Sequence, residues 1–133
     1  MVEKRKFKAW KRQRIRDGQF TKWKWLVHCK DGLKLGKFTD ISSGTVILAH
    51  GGVTIGDYVQ IGPNCSIISF STIDNKKAPI ILKENCRIGA NSVVMPGVTV
   101  GKNSIVGAQS FVNKDIPDDV TAFGCPARVI KKK

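Results

Sequence analysis

The chain has 133 residues and carries 23 Lys and Arg against 10 Asp and Glu, a formal net charge of +13. This length suits a single domain, and no apolar run or signal-peptide core points to a membrane span or export, so we expect a cytoplasmic protein. Its four cysteines lack a CxxC spacing. We therefore expect packed free thiols, with neither a disulfide framework nor a metal site.

The first predicted element is a basic segment, placed at residues 1–30, in which Lys and Arg alternate with aromatic residues. We predict a short helix between Lys4 and Arg16. Three interpretations of the segment are open: a cap on the repeats that follow, contact of residues 1–25 with an anionic membrane surface, and phosphate contacts to nucleic acid. We favour the cap and expect no nucleic-acid partner. The lack of one apolar helical stripe weakens the membrane interpretation.

From Leu35 onward, an apolar branched residue recurs every six positions. The two regular series are Ile55, Ile61 and Ile67, and then Leu82, Ile88, Val94, Val100, Val106 and Val112. Six matches neither the helical period of 3.6 nor the strand period of two, but three six-residue sides close a triangular coil of about 18 residues. We predict an all-β domain of stacked parallel coils over residues 31–130. The branched residues point inward, and so do smaller ones four positions later. Glycines serve the bends because they tolerate positive φ.

The six-residue period breaks twice, and insertions in a solenoid map to surface loops that often border a binding site. Ile47 to Ile55 spans eight residues, and a longer break predicts a projecting loop between Ser71 and Pro79. His50 lies in the first break, before two glycines. Because imidazole titrates near neutral pH, we predict His50 to be a general base, with Asp40 about one coil earlier to orient it. We interpret His28 as structural.

The repeats and the end of the chain resemble the hexapeptide-repeat acyltransferases, the isoleucine-patch family. The specific signals are Asn113 to Pro117 and the run Gly-Cys-Pro-Ala-Arg-Val-Ile at 124–130, which are similar to the tails of sugar acetyltransferases such as the maltose and galactoside enzymes and of nucleotide-amino-sugar N-acetyltransferases. The resemblance covers Leu35 to Ile130. It implies a left-handed parallel β-helix, a homotrimer, and acetyl-CoA as cosubstrate in grooves between subunits.

The resemblance also implies positions for the coenzyme. Ala90 and Ala108 match small residues whose backbone holds the pantetheine arm. Asn113 and Lys114 match a pair near the adenine and its phosphates, and Arg128 matches an arginine at the phosphates. We predict these five residues to bind acetyl-CoA.

On the acceptor side, the chain departs from the maltose and galactoside enzymes. Their catalytic histidine falls on Thr72, and their substrate-binding asparagine on Ser42. We keep Asp40, Ser42 and Thr72 as candidate substrate-binding residues. Because an amine needs less base assistance than a hydroxyl, we predict N-acetylation of a nucleotide-linked amino sugar in glycan precursor synthesis. The alternatives are sugar O-acetylation, and a non-catalytic β-helix scaffold that docks on a membrane through its basic N-terminus.

Overall fold

The computed structural model describes residues 10–132, which form three parallel sheets that the chain visits in a repeating order. Sheet 1 contains β1 (Leu26–His28), β4 (Val46–Leu48), β7 (Ser66–Ile68), β12 (Val93–Val94) and β15 (Phe111–Val112). Sheet 2 contains β2 (Leu33–Leu35), β5 (Val53–Ile55), β10 (Ile80–Leu82) and β13 (Thr99–Val100). Sheet 3 contains β3 (Asp40–Ile41), β6 (Gln60–Ile61), β11 (Arg87–Ile88), β14 (Ile105–Val106), β16 (Val120–Gly124) and β17 (Ala127–Lys132).

Each passage from sheet 1 through sheet 2 to sheet 3 is one coil, and five coils stack, beginning at β1, β4, β7, β12 and β15. In the fifth coil a single bridge, Val100 to Ile116, replaces the strand of sheet 2. Strands of successive coils pair in parallel, and β17 alone in these sheets runs antiparallel, on β16. A 3-10 helix (Lys30–Gly32) and a hairpin of β8 (Phe70–Ser71) and β9 (Lys76–Lys77) complete the elements. The predicted all-β solenoid is confirmed.

The core is the column of branched residues that the period of six identified. From Ile41 to Val112, each of these side chains is at most 5% exposed. The smaller residues four positions later are also buried, namely Val59, Cys65, Cys86, Ser92, Val98, Ser104 and Ser110. Their hydroxyls join coils. For example, Ser92 Oγ donates to the Gly107 carbonyl (3.2 Å) and accepts from the Ser110 N–H (3.2 Å). The buried hydroxyl of Ser92 therefore has both a donor and an acceptor as partners.

The bends correct one expectation about glycine. We name the corners 1–2, 2–3 and 3–1 after the sheets they join. A Cβ on Gly89 would lie 2.5 Å from the Ala108 nitrogen, and one on Gly101 would lie 2.4 Å from the Asp118 nitrogen, yet neither glycine has a positive φ. The left-handed positions lie two residues further on, for example at Asn64, Asn91 and Asn103 (φ 57 to 62). Asparagine tolerates this conformation, so Gly89 and Gly101 are needed for space, whereas Gly44, Gly52 and Gly97 do have a positive φ.

Residues 10–25, here called the N-terminal strap, run over the first coil without forming a helix. Trp10 Nε1 donates to the Thr39 carbonyl (2.8 Å), Arg12 Nη1 donates to the Leu35 carbonyl (2.7 Å), and Ile15 packs against the core. The predicted helix is therefore wrong for residues 10–16, and residues 4–9 lie outside the described part. These contacts with the first coil outweigh the helix propensity of the sequence. They agree with the capping interpretation.

The cysteines differ sharply in their surroundings. Cys65 and Cys86 are buried and Cys29 and Cys125 exposed, and all four are free thiols. Burial raises the pKa of Cys86 to about 12 and also raises the pKa of Cys65. Thiols kept protonated and enclosed react slowly, because the thiolate is the nucleophile.

We predict that a variant with Cys29→Ser and Cys125→Ser will not react with a thiol reagent near neutral pH while folded. After unfolding, both remaining thiols should titrate. The measurement is absorbance of the released chromophore with and without denaturant, with the wild-type chain as control. Rapid labelling of the folded variant would contradict the burial of Cys65 and Cys86.

Candidate active site

His50 lies at corner 1–2 of the second coil, in the first break of the period. The tight turn that carries it is closed by the Gly52 N–H and the Ala49 carbonyl (3.0 Å). The side chain is exposed, and its ring lies 5.2 Å from the ring of Phe70, at 48°. Because Phe70 begins the β8–β9 hairpin, the two interruptions of the repeat meet at one corner.

Ser69 fixes this turn, and sequence reasoning missed it. Its buried hydroxyl accepts the Gly51 N–H (2.8 Å) and donates to the Leu48 carbonyl (2.5 Å). The Ser69 carbonyl in turn accepts the Ala78 N–H (3.0 Å). The backbone on both sides of His50 is thus tied to the base of the hairpin. The only signal in the sequence is a hydroxyl residue at the start of the second break.

The hairpin is the projecting loop predicted from the longer break. Thr72 lies on its turn and is exposed, and Ile73 beside it is 96% exposed. Lys77 returns along the hairpin with its ammonium 6.0 Å from the Phe70 ring centre. His50, Thr72 and a cation therefore share corner 1–2.

Asp40 and Ser42 lie elsewhere. Asp40 begins β3 in sheet 3, and Ser42 follows that strand at corner 3–1. The register of β1 on β4 pairs His28 with Leu48, so Lys30, not Asp40, stands one coil before His50. Sheet 3 does not form corner 1–2. Within one chain, the proposed orientation of His50 by Asp40 is therefore wrong.

The candidate coenzyme residues also divide between two corners. Ala90 and Ala108 lie on successive coils at corner 3–1, where the Gln109 N–H donates to the Ala90 carbonyl (2.8 Å). Asn113 and Lys114 are exposed at corner 1–2 of the fifth coil. Arg128 is exposed on β17, opposite Phe123. The small side chains leave the backbone at corner 3–1 open, while the cations gather at the fifth coil.

Sheet 1 lies between these two corners, and its outer face is apolar. The residues that point outward from it are half-buried, and include Leu26, Val46, Val93 and Phe111. Outward positions of the other sheets are mostly polar, such as Lys34, Thr54 and Thr99 on sheet 2 and Asp40, Gln60 and Thr121 on sheet 3. An apolar face of this kind, bordered by candidate site residues, is typical of an interface.

Over residues 10–132, no three His, Cys, Asp or Glu side chains are grouped so that they could hold a metal ion. In the same residues, no helix is long and apolar enough to cross a membrane.

Known proteins share this repeat and this fold. The family described as bacterial transferase hexapeptide (six repeats) matches residues 79–114. A galactoside O-acetyltransferase of Lactococcus lactis is 41% identical over 91 residues, which is 60% of this chain and 43% of the relative. The chain thus spans less than half the length of that curated relative.

Two solved structures extend the likeness. A hexapeptide-repeat acetyltransferase of Vibrio cholerae, in complex with acetyl coenzyme A, superposes with a TM-score of 0.77 at 32% identity, over 81% of this chain and 64% of that one. An N-acyltransferase of Bacillus cereus, in complex with dTDP and coenzyme A, has a TM-score of 0.72 over 86% and 80%, but at 20% identity it shows the fold alone. The chain belongs to the hexapeptide-repeat family, and its stacked coils match a left-handed β-helix.

Proposed function

We propose that the protein is an acetyltransferase that moves an acetyl group from acetyl-CoA to the amino group of a nucleotide-linked sugar. The observation that carries this proposal is the arrangement of candidate residues along both edges of one apolar sheet. His50 and Lys114 border sheet 1 at corner 1–2, and Ala90 and Ala108 border it at corner 3–1. Within one chain, the width of sheet 1 separates the two edges.

A homotrimer with sheet 1 at the interface would bring these edges together. Threefold rotational symmetry about an axis parallel to the direction in which the coils stack places corner 1–2 of one subunit beside corner 3–1 of its neighbour at the same height. Burial of Leu26, Val46, Val93 and Phe111 would supply the apolar part of this interface. The site would then need two subunits, His50 coming from one and the alanines from the other.

The spacing along the stack fits acetyl-CoA. His50 lies on the second coil and Lys114 on the fifth, three coil steps apart. Neighbouring strands are about 4.8 Å apart, so this distance is roughly 14 Å, a suitable length for an extended pantetheine arm. Lys114 and Arg128 stand at the far end, where cations match the phosphates, and Ala90 and Ala108 lie between. In this orientation the thioester lies near His50.

The proposed step is attack of the acceptor nitrogen on the thioester carbonyl. A C–N bond forms and the C–S bond breaks. The imidazole of His50 takes the proton lost by the nitrogen and returns it to the departing thiolate, so that free coenzyme A leaves. The hydrogen bonds through Ser69 hold the His50 turn in place, which favours a productive orientation.

The choice of nitrogen over oxygen as acceptor depends on corner 1–2. Thr72 stands on the hairpin at the position that matches the catalytic histidine of the maltose and galactoside enzymes. In the described residues, His50 is therefore the one imidazole that packs against the hairpin, through Phe70. An amine nucleophile tolerates this simpler site better than a hydroxyl does. The second candidate, sugar O-acetylation, is favoured by the 41% identity to a galactoside O-acetyltransferase.

The deciding experiment is a panel of acceptors with acetyl-CoA, followed by release of free coenzyme A thiol. Nucleotide-linked amino sugars should support release, and neutral galactosides and maltose should not. Turnover of the neutral sugars alone would favour O-acetylation. No turnover, together with no measurable affinity for acetyl-CoA, would favour the non-catalytic scaffold.

Replacing Arg128 by alanine should weaken acetyl-CoA binding about tenfold, because a charge-assisted contact to phosphate is lost. The measurement is calorimetric titration with acetyl-CoA, with sedimentation to verify the oligomeric state. Lys131→Ala is the matched control, since Lys131 is an exposed cation on the same strand. Equal affinities of the two variants would show that Arg128 does not contact the coenzyme.

A further inference from the structure

An open groove lies between the N-terminal strap and the start of sheet 3. Its volume is about 730 Å³, and its walls include Trp10, Lys11, Lys22 and Trp23 from the strap and Asp40 and Ser42 from the first coil. The groove thus has two aromatic rings and two cations on one side, and a carboxylate and hydroxyls on the other.

Both parts of the strap in this groove are fixed in place. Trp10 is tied to the first coil by its bond to the Thr39 carbonyl and packs on Phe38, with ring centres 5.8 Å apart. The turn with Lys22 and Trp23 is closed by the Thr21 N–H and the Trp25 carbonyl (2.8 Å), and the Gly44 N–H donates to the Lys24 carbonyl (2.8 Å). The Trp10 ring and the backbone that carries Lys22 and Trp23 are therefore held beside corner 3–1, which limits the entropy lost on binding.

We propose that this groove binds the nucleoside diphosphate part of the acceptor. Trp23 is 58% exposed and offers a ring on which a base stacks, and Lys11 and Lys22 are exposed cations that match a diphosphate. Asp40 and Ser42 then face the sugar, where a carboxylate and a hydroxyl suit an ammonium and hydroxyl groups.

The height of the groove separates it from the coenzyme. Asp40 and Ser42 belong to the first coil, whereas Lys114 and Arg128 belong to the fifth or follow it. Four coil steps amount to about 19 Å, so the nucleotide of acetyl-CoA and that of the acceptor would occupy opposite ends of one seam. Ser42 lies at corner 3–1, one coil from the height of His50, so the sugar would reach the imidazole of the neighbouring subunit.

This inference rests on the proposed function for the acceptor's identity, but nucleotide binding is measured independently of acetyl transfer. The experiment is calorimetric titration of the full chain with UDP and with dTDP, without acetyl-CoA. Saturable binding of at least one is expected, weakened about tenfold by Trp23→Ala and by Lys22→Glu. Phe20→Ala and Lys34→Ala are matched controls, because both residues are exposed and lie outside the groove. Circular dichroism verifies that each variant is folded.

Two results would overturn the inference: no binding of either nucleotide, or binding that coenzyme A displaces and that Trp23→Ala leaves unchanged. The acetyl-transfer assay separates the two proposals. Nucleotide binding that depends on Trp23 and Lys22 in a chain without transferase activity supports the groove and contradicts the proposed function. Transfer to a nucleotide-linked sugar with the same KM in wild type and Lys22→Glu supports the function and contradicts the groove.

Discussion

Replacing His50 by alanine should lower kcat at least about 100-fold, while the affinity for acetyl-CoA changes by less than about threefold. A positioned general base contributes about 10²–10⁴ in rate, and only the transition state benefits from it. His50 suits this role because its exposed ring packs on Phe70 and its turn is bonded to Ser69. Steady-state kinetics and coenzyme titration of the same preparation measure the two effects.

His28→Ala is the matched control for this variant. His28 is the other histidine of the chain. It is exposed and lies beside the same corner one coil earlier. Its replacement should leave kcat within about threefold of wild type. Near-normal turnover of His50→Ala would remove that residue from the mechanism. The acceptor amine would then lose its proton to water or to another group.

A large loss of stability is expected for Gly89→Ala. The added methyl group would lie 2.5 Å from the Ala108 nitrogen and 2.8 Å from its Cα, which are backbone atoms of the next coil and cannot rotate away. Relief of this clash requires two coils to separate, which would break the bond from the Gln109 N–H to the Ala90 carbonyl. We expect the free energy of unfolding to fall by about 3 kcal/mol, at the upper end for overpacked sites.

Denaturant unfolding at equal protein concentration measures this loss, since association contributes to apparent stability. Thr54→Ala is the control, because Thr54 is exposed in the middle of β5 and its replacement should cost less than about 1 kcal/mol. A change equally small for Gly89→Ala would show that the coils can move apart without cost. In that case the glycines of the repeat would need another explanation.

The period of six predicts the solenoid because every coil must fill the same narrow core in the same way. A branched side chain such as Ile61 or Val94 must fill one third of a narrow core, and a small one such as Ser92 must fit the corner. Both breaks in the period therefore place loops correctly. The steric role of Gly89 and Gly101 could not be predicted, because contact between coils is not visible within one repeat.

Other features depend on contacts that the sequence does not encode locally. The strap has helix-forming residues, but Trp10 and Arg12 bond to carbonyls of the first coil, and this outweighs their local preference. Asp40 precedes His50 by ten residues, half of the 20-residue step that pairs His28 with Leu48, so it cannot lie one coil before His50. The role of Ser69 could not be predicted, because no sequence motif marks a buried serine that bonds to two backbone groups of a turn. The residues that would meet across subunits depend on the symmetry of the assembly, which the sequence of one chain does not specify.

The antiparallel β17 has a consequence for solubility. A stack of parallel coils ends in an open edge with the same register as its own interior, and so invites further copies to continue the ladder into a fibre. β17 reverses direction on β16 and presents Lys131 and Lys132, while the strap covers the opposite end. β17 therefore covers the last coil at sheet 3, and the strap bonds to carbonyls of the first coil, which leaves less free backbone for end-to-end polymerisation.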